Sequence, residues 1–182
     1  MLRITIPAVE YFKEETMEFI EVEKECTLQL EHSLVSVSKW ESKWHKPFLH
    51  SGDTMSVEEN LDYIRCMTIT QNVDPDVYNR LTEQHIKQIM EYVNAPMTAT
   101  TFIDDKTGKR NREIVTAEII YYWMIANNIP IEFQKWHLNK LITLIRVCNE
   151  KNAPPKKMSK KDILSRNAAL NAARRKQFNS KG

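Results

Sequence analysis

The fold turns on the stretch LQLEHSLVSVSKWESKW, from Leu28 to Trp44. Its first half alternates, with Leu28 and Leu30 on one side and Gln29 and Glu31 on the other, the period of a half-buried strand. After His32 the period changes. Ser33 is placed to cap a helix, and Leu34, Val37, Trp40 and Trp44 then recur at three- and four-residue spacing on one helical face. Pro47 ends that helix. A strand that hands over to a helix at a single residue predicts an α+β protein.

Upstream of this stretch the alternation continues. Leu2, Ile4 and Ile6 alternate with polar residues, and Phe19-Ile20-Glu21-Val22 follows the charged turn Lys13-Glu14-Glu15-Thr16. The first 32 residues therefore predict a small antiparallel meander. Downstream the helical period holds. Ser56-Val57-Glu58-Glu59 is a capping box, followed by Val57, Leu61, Ile64 and Met67 on one stripe. Asp74-Pro75 reads as N-cap plus first-turn proline of a short helix through Leu81. Thr82 starts another, with Ile86, Ile89, Met90 and Val93 inward, stopped before Pro96. Thr98 to Ile103 is β-branched and predicts a short strand, with Asp104 to Arg110 as the loop after it.

Residues Glu113 to Asn127 are apolar nearly all round, which predicts a helix buried on most sides at the centre of the fold. Pro130 opens a helix from Ile131 to about Asn149. Its inward arc carries Phe133, Trp136, His137, Leu141, Leu144, Ile145 and Cys148; Lys135, Asn139 and Arg146 face the other way. Asn152-Ala153-Pro154-Pro155 breaks the pattern, and Ser159-Lys160-Lys161-Asp162 caps a final helix to about Gln177. The expected organisation is a predominantly helical α+β body over 1–149, its small N-terminal sheet packed on a helical bundle. A linker over 150–158 and a separate basic helical tail over 159–182 follow.

Bulk properties narrow the function classes. The chain has 182 residues and a net charge of +2, with only three glycines. The charge is unevenly distributed. Residues 151–182 hold ten Lys/Arg and one acid, a net of +9, and the other 150 hold 16 basic and 23 acidic residues, a net of −7. A basic tail on an acidic body meets an acidic surface, a nucleic acid or another copy of the body. The longest apolar run, Ile119 to Ala126, is far short of the roughly 18 residues that a membrane span needs. No secretory leader is read at the N-terminus. Cys26, Cys66 and Cys148 are odd in number and without CxxC spacing, so free thiols in a reducing compartment are expected.

The search for chemistry returns little. Gly108-Lys109 fails as a phosphate loop, because Ile103 and Arg110 stand where glycine and Ser/Thr are needed. The five histidines show no metal spacing, and His137 reads as a hydrogen-bonded core residue. Pro75-Asp76 with Asp104-Asp105-Lys106 imitates a Mg²⁺ nuclease pattern, but Asp74-Pro75-Asp76 reads as a helix N-terminus, where acids are favoured anyway. No catalytic residue, cofactor or metal is expected.

Candidate partner-binding residues are of two kinds. Trp40 and Trp44 sit at helical core positions, and would mark a docking surface only if exposed together. The tail offers Lys156, Lys157, Lys160, Lys161, Arg166, Arg174, Arg175 and Lys176, with an apolar stripe of Ile163, Leu164, Leu170 and Phe178. Phe178 is the only aromatic there for base stacking, so nucleic acid is the weaker reading and a groove on an acidic protein the stronger.

Four segments carry a resemblance: Leu28 to Phe48, Thr116 to Ile125, Trp136 to Leu141, and Cys148 to Pro154. They resemble the tail assembly chaperones encoded among the structural genes of tailed bacteriophages, and the resemblance spans nearly the whole chain. It implies a non-catalytic protein of the host cytoplasm that coats the helix-rich tape-measure protein, helps recruit tail-tube subunits and is absent from the finished virion. It also implies a longer form of the chain made by a programmed frameshift, with which Ser180-Lys181-Gly182 is compatible. Self-association is the further partner expected. The rival readings are a connector or tail component retained in the particle, and a nucleic-acid-binding protein that uses its basic tail.

Overall fold

The computed structural model describes residues 1–13, 18–102, 113–153 and 160–179, and shows a predominantly helical α+β protein. Strand β1 (Leu2–Ile6) pairs antiparallel with β4 (Cys26–Leu30), and β2 (Val9–Lys13) with β3 (Glu18–Glu23). The expected meander is thus a nested hairpin. Burial explains the difference: Leu2 stands opposite Leu30 and Ile4 opposite Leu28, so two alternating runs put their apolar sets on one face. Ile4, Ile6, Leu28 and Leu30 are all buried. The ladders break where Pro7 has no N–H to give. There the Arg80 guanidinium donates to the carbonyls of Pro7 (3.0 Å) and Lys24 (3.4 Å).

Helix α1 (Leu34–Trp44) starts as the sequence predicts. The Ser33 hydroxyl accepts from Ser36 N, and Ser36 Oγ accepts from Ser33 N. It ends at Trp44, with His45 in the left-handed conformation two residues ahead of Pro47. A one-turn helix, α2 (Phe48–Ser51), and a 3₁₀ turn (Gly52–Thr54) lead to α3 (Val57–Met67), opened by the Ser56–Glu59 capping box. Asp74 caps a 3₁₀ helix over Pro75–Arg80, and Thr82 caps α4 (Glu83–Asn94). With so few glycines, Asn72 and Asn128 supply positive φ at turns.

Three expectations are corrected here. Thr98 to Phe102 forms no strand. A β-branched run becomes one only beside a partner, and β4's free edge is already taken by residues 67–69: Glu31 N donates to Met67 O at 2.9 Å and Ile69 N to Gln29 O at 2.8 Å. Ile103 and the loop expected over 104–110 lie outside the described residues. The helix placed at the centre, α5 (Ala117–Ala126), buries only Ala117, Ile120 and Met124 fully. Its Tyr122 and Ile125 are 66% and 73% exposed, and Ile114 and Ile131 nearby in sequence are exposed too. The helix expected from Ile131 is two. A 3₁₀ turn (Ile131–Lys135) is followed by α6 (Leu138–Asn152). Between them His137 forms an antiparallel bridge with Ser33, and Leu138 N donates to His32 O at 2.7 Å. That tertiary pairing straightens the chain at Trp136-His137.

The helix at the centre is α1, packed against α3, α5 and the 3₁₀ turn over Ile131–Lys135. Leu34, Val37 and Trp40 share a core with Ile64 and Met67 of α3, Met124 of α5, and Leu141 and Ile145 of α6. Glu41, buried on α1, ties the assembly: Oε1 accepts from Phe48 N (2.8 Å) and Oε2 from Ala117 N (2.7 Å). These are the first amides of α2 and α5, whose own cap residues make no side-chain cap bond. One carboxylate thus caps two helices.

The chain divides into two compact units, Met1–Asn149 and Glu150–Gly182. Helix α6 runs on to Asn152, so the first residues of the expected linker are helical; residues 154–159, Ser159 included, lie outside the described ones. The second unit contains α7 (Lys160–Gln177), whose described side chains are all exposed.

Candidate functional site

Helices α3 and α4 leave an open cleft of about 890 Å³. Its walls are Val57, Leu61 and Ile64 from α3 and Ile86, Met90 and Val93 from α4. All six stand on stripes expected to face inward, yet Val57 is 78% exposed and Met90 48% exposed. Apolar spacing on α4 makes an arc wider than its contact with the body, and the surplus faces the cleft. Phe48 and Met55 also line it. So does Asn139, which points inward rather than away. Its Nδ2 donates to the carbonyls of Val93 (3.0 Å) and Ala95 (2.9 Å) and so satisfies the end of α4. Among the described residues no Lys, Arg, Asp or Glu lines the cleft.

The floor is polar but uncharged. His32 Nδ1 and the Tyr63 hydroxyl are hydrogen-bonded there. Burial, reinforced by His137 nearby, pulls the His32 imidazole down to about 3, so it is neutral at physiological pH. Burial likewise raises the Tyr63 phenol well above its usual value. The His137 ring lies 5.0 Å from that of His32. Its Nε2 donates to Tyr92 O at 3.0 Å, leaving Nδ1 as a buried lone pair with no partner among the described residues. Burial lowers His137 also. Of these, the neutral His32 ring and the protonated Tyr63 phenol line the cleft, and they offer it hydrogen bonds and no charge. Such a site suits an apolar guest with a few polar atoms.

Trp40 and Trp44, which would mark a docking surface only if exposed together, are not exposed together. Trp40 is fully buried, and its Nε1 donates to Glu59 O at 3.0 Å. Trp44 is half-buried and donates to Asp62 Oδ2 at 2.9 Å. Stacked 6.3 Å apart, they join α1 to α3. The core reading of this pair is the correct one, because each indole N–H has its acceptor inside the body. Of the tail residues, Lys160, Lys161, Ile163, Leu164, Arg166, Leu170, Arg174, Arg175 and Lys176 lie on α7 and Phe178 follows it, all exposed. Lys156 and Lys157 lie outside the described residues, as do Gly108-Lys109 and Asp104-Asp105-Lys106. Asp76 stands in the first turn of a 3₁₀ helix. Cys26, Cys66 and Cys148 are free and half-buried.

Among the described residues no group of three or more His, Cys, Asp or Glu is gathered for a metal ion. None of their helices is long and apolar enough to cross a membrane. No family model matches the chain, and no curated protein and no solved structure is similar to it.

Proposed function

We propose that this chain is a tail assembly chaperone of a tailed bacteriophage, a non-catalytic protein that holds a helix of the tape-measure protein and helps bring tail-tube subunits to it. The observation that carries the reading is the cleft between α3 and α4: about 890 Å³, apolar on both walls and free of charged lining among the described residues. Such a slot accepts the apolar face of an amphipathic helix at i, i+3, i+4 and i+7 positions. Long helical proteins expose many such faces before they assemble, and a cytoplasmic protein that covers them prevents aggregation. The segments from Leu28 to Phe48 and from Thr116 to Ile125, which resemble this family, form α1, the turn into α2, and α5. Of these residues, His32 and Phe48 line the cleft.

Co-expression tests the reading. The tape-measure protein should be soluble with the intact chain and insoluble without it, and the chain should be missing from purified virions. A tape-measure protein equally soluble alone would overturn it. One observation favours a second reading, a subunit retained in the particle: Tyr122 and Ile125 expose an apolar face on α5 of the kind a permanent interface covers. Stoichiometric recovery of the chain from virions would establish that one instead.

A further inference from the structure

We propose that the floor of the cleft between α3 and α4 is a subsite for a phenol, with His32 Nε2–H as the hydrogen-bond donor that selects it. The source of the phenol rests on the chaperone reading: it is a tyrosine side chain of the client helix.

The donor follows from the hydrogen bonds around it. His32 is only 3% exposed, yet it lines the cleft. Its Nδ1 meets the Tyr63 hydroxyl. Among the described residues, that hydroxyl's other contact is Ser36 Oγ, at 3.5 Å. The phenol proton therefore goes to Nδ1, and the neutral imidazole carries its own proton on Nε2. Nε2 has no partner among the described residues, and it is not sealed in as His137 Nδ1 is. A ring this deeply buried keeps one N–H open towards the cleft that it lines.

The lining narrows the guest. Among the described residues no Lys, Arg, Asp or Glu lines the cleft, so a charged group would be buried without a counterion. Water on Nε2–H is displaced without loss only by a group that brings an acceptor. Phe48, Tyr63 and Tyr78 line the cleft together with Met55 and Met90, and the Phe48 and Tyr63 rings stand 4.1 Å apart. Aromatic rings and thioethers favour an aromatic guest over an aliphatic one. Of the large aromatic side chains, phenylalanine brings no acceptor and tryptophan sets an N–H against an N–H. Tyrosine brings an oxygen that accepts. Asn139 also lines the cleft and uses only its Nδ2 among the described residues, so Oδ1 can take the phenol's own proton, directly or through water.

The test uses the ¹⁵N-labelled full-length chain and three side-chain analogues: p-cresol for tyrosine, toluene for phenylalanine and 3-methylindole for tryptophan. NMR of the free chain should find the His32 ring proton on Nε2. p-Cresol should shift that N–H signal and bind about fivefold tighter than toluene, the worth of one net hydrogen bond. Without a partner its hydroxyl would make it the weaker ligand. 3-Methylindole should bind more weakly than p-cresol despite its larger apolar area. Saturating p-cresol should also displace a helical segment of the tape-measure protein. The unmodified chain serves for every arm, so no variant has to fold. A proton on Nδ1, p-cresol no tighter than toluene or 3-methylindole, or p-cresol shifts that spare His32 would each overturn the subsite. A segment that stays bound under saturating p-cresol would overturn the client's tyrosine as the source. A segment that never binds would overturn that source and the chaperone reading together, while the analogues still decide the subsite.

Discussion

Acidification from pH 7.5 to 5.0 should destabilise the body by an amount set mainly by His32. Its imidazole is held at about 3 against 6.5 in an unfolded chain, because it is buried beside His137. A lowered value means that the unfolded chain takes up the proton first. Stability is therefore complete above about pH 6.5 and falls as the pH drops towards 3. With those two values the loss at pH 5.0 is about 2 kcal/mol for His32 alone, out of a limit near 5 kcal/mol at lower pH. His137 is shifted in the same direction and adds to it. In urea, with a slope of about 2 kcal/mol/M for a domain of this size, the midpoint should move down by about 1 M. Tryptophan fluorescence reads the transition at both pH values. His32→Gln should remove most of the difference, since glutamine keeps a hydrogen bond to Tyr63 and has no proton to gain. Equal midpoints at pH 7.5 and 5.0, or a His32 ring proton titrating near 6.5 by NMR, would refute the buried, neutral floor.

Other perturbations separate the parts of the fold. Glu41→Ala removes the shared cap of α2 and α5 and should cost about 3 kcal/mol in urea unfolding, with Glu41→Gln costing about half, because one acceptor remains. Trp40→Ala should cost about 3–5 kcal/mol and Trp40→Phe about 1 kcal/mol, the share of its bond to Glu59 O. Ser56→Ala should lower stability by about 1 kcal/mol by opening the capping box of α3. Ile125→Ser, at an exposed position on α5, should change the thermal midpoint by no more than the equivalent of about 0.5 kcal/mol.

What the sequence made legible was local. The change of period at Ser33 and the caps at Ser56, Asp74 and Thr82 stand where the spacing put them, because each involves groups within three residues of one another. Pairings across long stretches of chain were not legible. Nothing within residues 1–32 distinguishes a meander from a nested hairpin until Leu28 and Leu30 are seen to need Ile4 and Leu2 opposite them. The break at Trp136-His137 depends on Ser33 and His32, a hundred residues away. Apolar periodicity also misplaced residues in a consistent way. Val57, Met90, Tyr122 and Ile125 all carry the pattern of core positions and all face the solvent. A hydrophobic stripe tells that a face is to be covered, and not whether this chain covers it. The cleft was hidden in that ambiguity. Its floor was hidden too, since Tyr63 gives no sequence signal that it meets His32.

The proposed chaperone role puts a helix of the tape-measure protein in the cleft between α3 and α4, and an affinity tests it. Binding of a purified helical segment of that protein should be measured by titration calorimetry against the full chain and against Met90→Glu, with circular dichroism confirming that both are folded. Met90 lines the cleft and is half exposed, so the variant keeps its core but places a carboxylate on the apolar wall. Burying that charge under a bound helix should weaken binding at least tenfold, about 1.4 kcal/mol. Equal affinities for the two chains would place the client elsewhere and contradict the account.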